Sequence, residues 1–547
     1  MSTIDWIVLI ITLSCIIIYG IYKSRTTKNL DGYFLSNRSM PWYLVLLSIM
    51  GTQASAITFL SAPGQAYTDG MRFVQYYFGL PLAMIVICIV FVPIFSRLKV
   101  YTAYEFLEKR FDSKTRTITS FLFQLSRGLS TGISIYAPSL ILSSLLNWNI
   151  YWTNIIMGGM LIIYTVSGGS RAVAHTQKLQ LLIIISGMTI AGFMVVHLMP
   201  ADVGFVDALN MGGENGKMNI ITSGINENGF DWKDKYNMWS GVIGGFFLAL
   251  SYFGTDQSQV GRYLAGKDTR ESKLGLLING LVKVPMQFLI LLIGVLVFAF
   301  YQYHKAPIFF NQTQINHAKN TEYKDSLIAL EKQYEQIVFT RDQTQINVVK
   351  EQYKEVIKKA LPLQEVNDTN YIFLRFVIDY LPRGLIGLLI AVIFLAAWGS
   401  IAAALNALAS CTVVDIHKKF INKELTERQD YSISKLYTLA WGIFCIVIAQ
   451  FAGSIGNSLI EAVNIVGSLF YGVILGIFLI AFWFRDIRGN STFYAAIVAQ
   501  ILVILIYKWD VISFLWLNVI GAVLVIIIAF IFQLFLKEEK KKKSLSV

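Results

Sequence analysis

A chain of 547 residues that is 55% hydrophobic and 15% charged is not a soluble globular protein, in which about a quarter of the residues carry charge. Its mean hydropathy of +0.57 and its continuous, non-alternating apolar runs exclude a transmembrane barrel and leave an all-α polytopic membrane protein. The net charge of +12 gathers in short loops, as the positive-inside rule requires, and this placement argues against nucleic-acid binding.

Apolar runs long enough to cross a ~30 Å hydrocarbon core predict about thirteen spans. They lie near 5–22, 42–67, 74–96, 117–146, 150–167, 179–199, 238–258, 275–302, 384–412, 434–453, 458–483, 490–507 and 511–536. The stretch before the first run lacks a basic n-region and an Ala-x-Ala site, so 5–22 reads as a span and not a cleaved signal. Placing the loop Lys23 to Arg38 in the cytoplasm puts the other basic loops inside by alternation. These carry Arg97, Lys99, Lys109 and Arg110, then Arg262 and Lys267, then Lys418, Lys419 and Lys423, then Arg485 and Arg488. The tail Lys540 to Lys543 falls inside as well, where it fixes topology and can touch anionic lipid; the N-terminus falls outside.

The second run is interrupted at its centre by Gly51-Thr-Gln-Ala-Ser-Ala-Ile-Thr58. Bilayer hydrocarbon offers no water to a freed carbonyl or hydroxyl, so such a break survives only where it lines a cavity or holds a ligand. Arg127 then stands inside the run 117–146, a functional candidate because a charge at that depth is costly. Its fork suits a carboxylate, although it can also pair internally or snorkel. After an acidic, Gly- and Asn-rich outside segment, the run 238–258 carries a second break, from Ser251-Tyr-Phe-Gly-Thr-Asp-Gln257. Two breaks about five spans apart predict an inverted repeat of two five-helix halves. The organisation is then 1–41, an N-terminal helix and inside loop; 42–199, the first repeat; 200–237, an outside loop; 238–483, the second repeat; and 484–547, two further helices and a basic tail.

The insertion 304–370 shows helical spacing twice, in Leu327, Leu330, Tyr334 and Ile337 and in Ile346, Val349, Tyr353 and Val356. It predicts a helical hairpin outside the membrane, an ornament, a lid or a docking site for an external partner. Cys15, Cys88, Cys411 and Cys445 lie in apolar runs without metal or redox spacing, and the five histidines pair with no cysteine cluster.

Several local motifs resemble one family. Asp31-Gly-Tyr-Phe-Leu-Ser-Asn-Arg-Ser-Met-Pro-Trp42 and Tyr101-Thr-Ala-Tyr-Glu-Phe-Leu-Glu-Lys-Arg-Phe111 resemble inside loops of the sodium:solute symporter family. Ile135-Tyr-Ala-Pro-Ser-Leu-Ile-Leu142 and Gly254-Thr-Asp-Gln-Ser-Gln-Val-Gly-Arg-Tyr-Leu264 are similar to its iodide and multivitamin branch. Ala54-Ser-Ala-Ile-Thr-Phe-Leu-Ser61 is similar to its bacterial sialic acid symporters. The resemblance spans nearly the whole chain apart from 304–370 and implies a LeuT-type fold with sodium-driven uptake by alternating access.

It also implies residue roles. The shared sodium site would use the carbonyls of Gly51, Ala54 and Ala396 with a pair of hydroxyls, which here reads Gly399-Ser400, so Ser400 stands alone. Na⁺ is hard and takes oxygen ligands, which an unwound turn supplies. A second sodium site in some members needs an Asp where this chain has Gln177, in Thr176-Gln-Lys-Leu-Gln180, and two Ser where it has Ala402 and Ala403. One Na⁺ per solute is the resulting expectation. The solute pocket would draw on Gln53, Ser55, Thr58, Phe73, Tyr77, Arg127, Asp256 and Gln257. In the sialic acid branch the solute arginine stands where Ser130 is found here, one turn from Arg127. Asp256 could bind an amine, pair with Arg127 or carry a coupling proton, and Lys283 matches a solute-binding lysine of sugar-transporting relatives, while Tyr77 argues against a galactose-like site. The expected function is a sodium-coupled symporter of the inner membrane importing a small polar solute: a monosaccharide, sialic acid, carboxylate or vitamin. The alternatives are a proton-coupled or uncoupled transporter, or a membrane solute sensor. No enzymatic constellation is present in this reading.

Overall fold

The computed structural model describes residues 1–24, 34–146, 148–338, 343–362, 366–422, 426–454 and 458–536. The loop residues Arg25, Lys28 and Asp31, Lys423 and the tail Lys540 to Lys543 lie outside them. Among the described residues ten helices are long and apolar enough to cross a membrane, or eleven with one bent pair. Two shorter apolar helices stand at two further expected positions, Ile150–Val166 and Ser240–Gly254.

In chain order the first half begins with α1 (Thr3–Ser24), then α2 (Trp42–Gln53) and α3 (Ala56–Asp69). It continues with α4 (Met71–Leu98), α5 (Ser113–Leu146), α6 (Ile150–Val166) and α7 (Val173–His197). The second half holds α8 (Ser240–Gly254), α9 (Gln257–Leu264) and α10 (Thr269–Tyr303). The insertion supplies α11 (Gln312–Ala318), α12 (Lys324–Ile337) and α13 (Gln343–Ala360). Then come α14 (Leu385–Ile421), α15 (Glu427–Ala449), α16 (Leu459–Trp483), α17 (Gly489–Lys508) and α18 (Trp516–Phe535). Each broken pair, α2/α3 and α8/α9, opens a set of five spans, the arrangement of a LeuT-type inverted repeat.

Helical backbone runs on from α6 into α7, yet it bends sharply between them. Tyr164 Oη lies 2.8 Å from Thr176 Oγ1, twelve residues on. In a straight helix those two Cα atoms would stand about 18 Å apart. α14 lies at the centre of the molecule, buried along nearly its whole length, whereas α18 leaves Leu534 and Phe535 exposed on its outer face. That contrast fits a helix sealed by protein beside one facing lipid. α4 and α8 touch backbone to backbone: a Cβ on Gly79 would stand 2.1 Å from Phe246 N. The expected hairpin forms, with Leu327, Tyr334, Ile346, Val349, Tyr353 and Ile357 building a small core of its own.

Candidate functional site: a central cavity between two broken helices

The first break is a loss of helical bonding over two residues. Ala54 (φ −76°, ψ 77°) and Ser55 (φ −86°, ψ 165°) leave the helix, and α3 restarts at 60° to α2. Ser55 N–H turns to Gln53 O at 2.9 Å, and Thr58 N–H turns to Ser55 O at 3.0 Å. Gly51 O and Ala54 O thereby lose the donors that an unbroken helix would give them. These two carbonyls are two of the three backbone oxygens that the family resemblance assigns to a cation, the third being that of Ala396.

The second break is closed differently. Asp256 caps α9 by accepting from Ser258 N at 2.8 Å, and Tyr104 Oη donates to Thr255 O at 2.8 Å. Thr255 Oγ1 returns to Ser251 O at 2.8 Å, while Ser251 Oγ donates to Tyr471 O at 2.7 Å.

Between the breaks lies a cavity of about 1070 Å³ of atom-free space, its mouth included. Gln53, Ser55 and Thr58 line it from the first break and Tyr76 and Tyr77 from α4. Arg127, Ser130, Thr131 and Ser134 follow helical spacing along one face of α5. Lys283 enters from α10, Ser400 from α14, and Asn464 and Tyr471 from α16. Gln53 Nε2 donates to Asn279 Oδ1 at 3.0 Å, and Tyr76 Oη donates to Asn464 Oδ1 at 3.0 Å, joining α4 to α16.

Two cations face this space, and their surroundings differ. Arg127 Nη2 bonds the Asp256 carboxylate and donates to Tyr471 Oη at 2.9 Å; Tyr471 in turn donates to Asp256 at 2.8 Å. The guanidinium also lies 5.3 Å from the centre of the Tyr252 ring. Lys283 is 2% exposed and its ammonium lies 5.5 Å from the centre of the Tyr77 ring. Among the described residues no carboxylate pairs with it.

Three expected solute residues do not line the cavity. Phe73 stacks on Tyr76 with ring centres 5.5 Å apart and packs against Tyr236. The reason is local geometry: Met71–Tyr77 is a 3₁₀ helix, in which residues three apart eclipse, so the Phe73 ring stacks on Tyr76 and meets Tyr77 only edge-on, with ring centres 6.0 Å apart. Gln257 spends both ends on an inside loop, accepting from Ala103 N at 3.0 Å and donating to Tyr101 O at 2.7 Å. Asp256 sits behind Arg127 as its counter-ion. Of the alternatives open to it, pairing with Arg127 is the one the structure displays. Tyr471 and Asn464 went unremarked, although a Tyr and an Asn inside an otherwise apolar run are a readable signal.

A model of the sodium:solute symporter family matches residues 33–331 and 348–499. The chain belongs to the sodium:solute symporter family. It is 26% identical to the sodium/sialic acid symporter NanT of Aliivibrio fischeri, over 97% of this chain and 93% of that protein. It is 28% identical to a putative sodium-dependent multivitamin transporter of Drosophila melanogaster, over 87% of this chain and 70% of the other. The solved substrate-bound, outward-open state of a Na⁺-coupled sialic acid symporter has the same fold, with a TM-score of 0.79 at 24% identity, covering 98% of this chain and 99% of that one. Within the family this chain is a multi-pass, sodium-coupled symporter of a small solute.

Of the residues that the resemblance sets against a cation, the wall opposite the first break keeps Ser400, lacks a side chain at Gly399 and carries Gln177 where some members have an Asp. Ser400 Oγ donates back to Ala396 O at 3.0 Å and Ala397 O at 3.1 Å, which leaves its lone pairs free to face the break. Gly399 has no side chain, and the space is filled: a Cβ there would stand 2.6 Å from Gln180 Oε1 and 3.6 Å from Gly51 O. Gln177 ties the two walls, accepting from Ser48 Oγ at 2.9 Å and donating from Nε2 to Gly399 O at 3.1 Å. A carboxylate at 177 could accept but not donate, so the amide supplies a bond that the usual Asp cannot.

Proposed function

We propose that this symporter takes up a small organic anion, a carboxylate on a polar frame, together with one Na⁺. The observation that carries the reading is Lys283: a buried ammonium on the cavity wall, with no carboxylate partner among the described residues, facing a space whose other cation is already balanced by Asp256. A buried unpaired charge costs several kcal/mol, and a solute carboxylate offsets that cost while bound. Gln53, Ser55, Thr58 and Ser130 offer an amide and hydroxyls to the rest of the solute. Tyr77 closes one side.

Na⁺ would be held by the carbonyls of Gly51, Ala54 and Ala396 and by Ser400 Oγ, with Gln180 Oε1 standing in for the hydroxyl missing at 399. Gln177, Ala402 and Ala403 provide no anionic or hydroxyl set for a second ion. The halves 42–199 and 238–483 rock about this site, which the two ligands stabilise together. The N-terminus and the 304–370 hairpin lie outside the plasma membrane and the C-terminus inside.

Uptake into proteoliposomes under an inward Na⁺ gradient tests this, with pyruvate, N-acetylneuraminic acid and biotin as acids and galactose as the neutral control. At least one acid accumulates only with Na⁺, and Lys283→Met abolishes its uptake while Lys283→Arg retains part. Accumulation of galactose alone, a Lys283→Met variant with unchanged KM, or uptake indifferent to Na⁺ overturns the reading. Binding without exchange of labelled solute would make the chain a sensor.

A further inference from the structure

One turn beyond Lys283 on α10 stands Gln287, fully buried, with no hydrogen-bond partner among the described residues at either its Nε2 or its Oε1. An amide buried in this way is costly, and as a packing residue a methionine of like shape would serve better. Other buried amides of the bundle are engaged at both ends. Gln75 Nε2 donates to Tyr236 O at 3.0 Å while its Oε1 accepts from Thr222 N at 3.1 Å. Gln124 Nε2 donates to Ser120 Oγ at 3.1 Å while its Oε1 accepts from Thr412 Oγ1 at 2.8 Å.

The placement of Gln287 says what it could serve. Asn279, Lys283 and Gln287 follow at four-residue spacing, so they share one face of α10 over about 12 Å of its axis. All three are buried. Asn279 Oδ1 is taken by Gln53 Nε2 at 3.0 Å, and its Nδ2 has no partner. Lys283 is thus flanked, one turn to each side, by an amide N–H₂ group without an acceptor. Gly280 and Gly294 lie seven residues to either side of Gln287, within about 20° of it around the helix. A Cβ on Gly280 would stand 2.7 Å from Met84 Cγ in α4, and one on Gly294 would run into the Pro63 carbonyl in α3. This face of α10 is therefore pressed onto the seam of α3 and α4, whose Ile57, Thr58, Tyr76 and Tyr77 wall the cavity on their other side. Gln287 stands behind that wall, beside the root of the lysine that passes through it.

An ammonium alone is a point charge and attracts any small anion. The Cβ atoms of residues four apart on a helix lie about 5–6 Å from each other, so rotation of the Gln287 side chain brings its amide beside Lys283. Ammonium and amide together call for two acceptor atoms held side by side, which a carboxylate has and a halide lacks. We infer that Gln287 is a specificity-determining residue of the solute site: its Nε2 takes the second oxygen of the carboxylate that Lys283 binds, and the pair selects two-oxygen anions over halides. The inference rests on the anion reading of the cavity and adds to it a residue that does not line the cavity itself.

The test pairs Na⁺-driven uptake of pyruvate, N-acetylneuraminic acid and biotin, with iodide as competing anion, with melting of the full chain in detergent without solute. Gln287→Met melts at or above the wild type, because an amide without partners gives way to an apolar chain of like shape. Its KM for the acid that the wild type accumulates rises tenfold or more with kcat within twofold, and the ratio of the iodide inhibition constant to that KM falls by the same factor. Gln287→Glu sets an internal carboxylate beside Lys283. It abolishes uptake of that acid and melts near the wild type, and adding Lys283→Met lowers its melting sharply. The inference is overturned if Gln287→Met leaves KM and iodide inhibition unchanged while Lys283→Met abolishes uptake; the anion reading then stands without Gln287. It is overturned as well if Gln287→Met melts well below the wild type, which would reveal a structural partner, or if Gln287→Glu melts equally low with and without Lys283. If none of the three acids accumulates in the wild type, the anion reading fails and the role of Gln287 falls with it.

Discussion

The two helix breaks read alike in the sequence, small and polar residues inside an apolar run, and the fold treats them in opposite ways. At 251–257 side chains of the protein close the break: Asp256 caps α9, Tyr104 covers Thr255 O, and Ser251 reaches α16. At 51–58 the carbonyls of Gly51 and Ala54 lose their helical donors, and Ser55 caps α3 without a side-chain bond. One break is scaffolding that holds Arg127 and Asp256 together; the other is left with oxygen to spare. Unsatisfied backbone at the depth of a bilayer is tolerated only where something else completes it. The difference separates a break closed by the protein from the one proposed to hold a ligand.

Three substitutions test that contrast, in order of expected effect. Asp256→Ala strands the buried Arg127 guanidinium and should destabilise the fold by about 3–5 kcal/mol. Thermal unfolding in detergent reads this, with Na⁺ affinity unchanged in whatever protein remains folded. Wild-type melting combined with lost Na⁺ affinity would show that the second break holds the ion and erase the distinction. Ser400→Ala should do the reverse. It removes one oxygen from the proposed cation site, worth about 1.5–3 kcal/mol, so the Na⁺ concentration that half-saturates thermal stabilisation rises roughly tenfold or more. Melting without Na⁺ should hardly move, because the carbonyls it bonds already belong to its own helix. Tyr104→Phe, the mildest, removes one donor from Thr255 O and should lower stability by about 1 kcal/mol without touching Na⁺ dependence.

The spans and both breaks were legible because each follows from bulk requirements: a run of apolar residues of bilayer length, or polar residues where they are costly. The wall proposed to hold the ion, with its odd Gly399-Ser400 pair, rests on family resemblance and not on bulk requirements. Facing within the pocket was harder to read. Phe73 and Tyr77 would both face the pocket in an α-helix; in the 3₁₀ turn Phe73 stacks behind Tyr76, which lines the pocket in its place, and touches Tyr77 edge-on. Gln257 looked like a ligand because it follows a break, yet the first turn of α9 points it at the loop 101–103. Gln180 could be found only in three dimensions, since nothing in the order of residues says that its amide fills the space beside Gly399.

The root of the insertion has a mechanical consequence. Gly64, in the second half-helix α3, lies so close to Thr369 that a Cβ there would meet the Thr369 carbonyl at 2.1 Å. Nearby, Asp368 holds Phe310 N at 2.7 Å and Tyr334 Oη holds Ala306 O at 3.1 Å, so the hairpin is braced at its base. Any tilt of α3 therefore pushes on a stiff arm rather than a slack loop, and the arm works as a pointer. A spin label at exposed Gln336, near the end of α12, would report with leverage which way the buried half-helix leans.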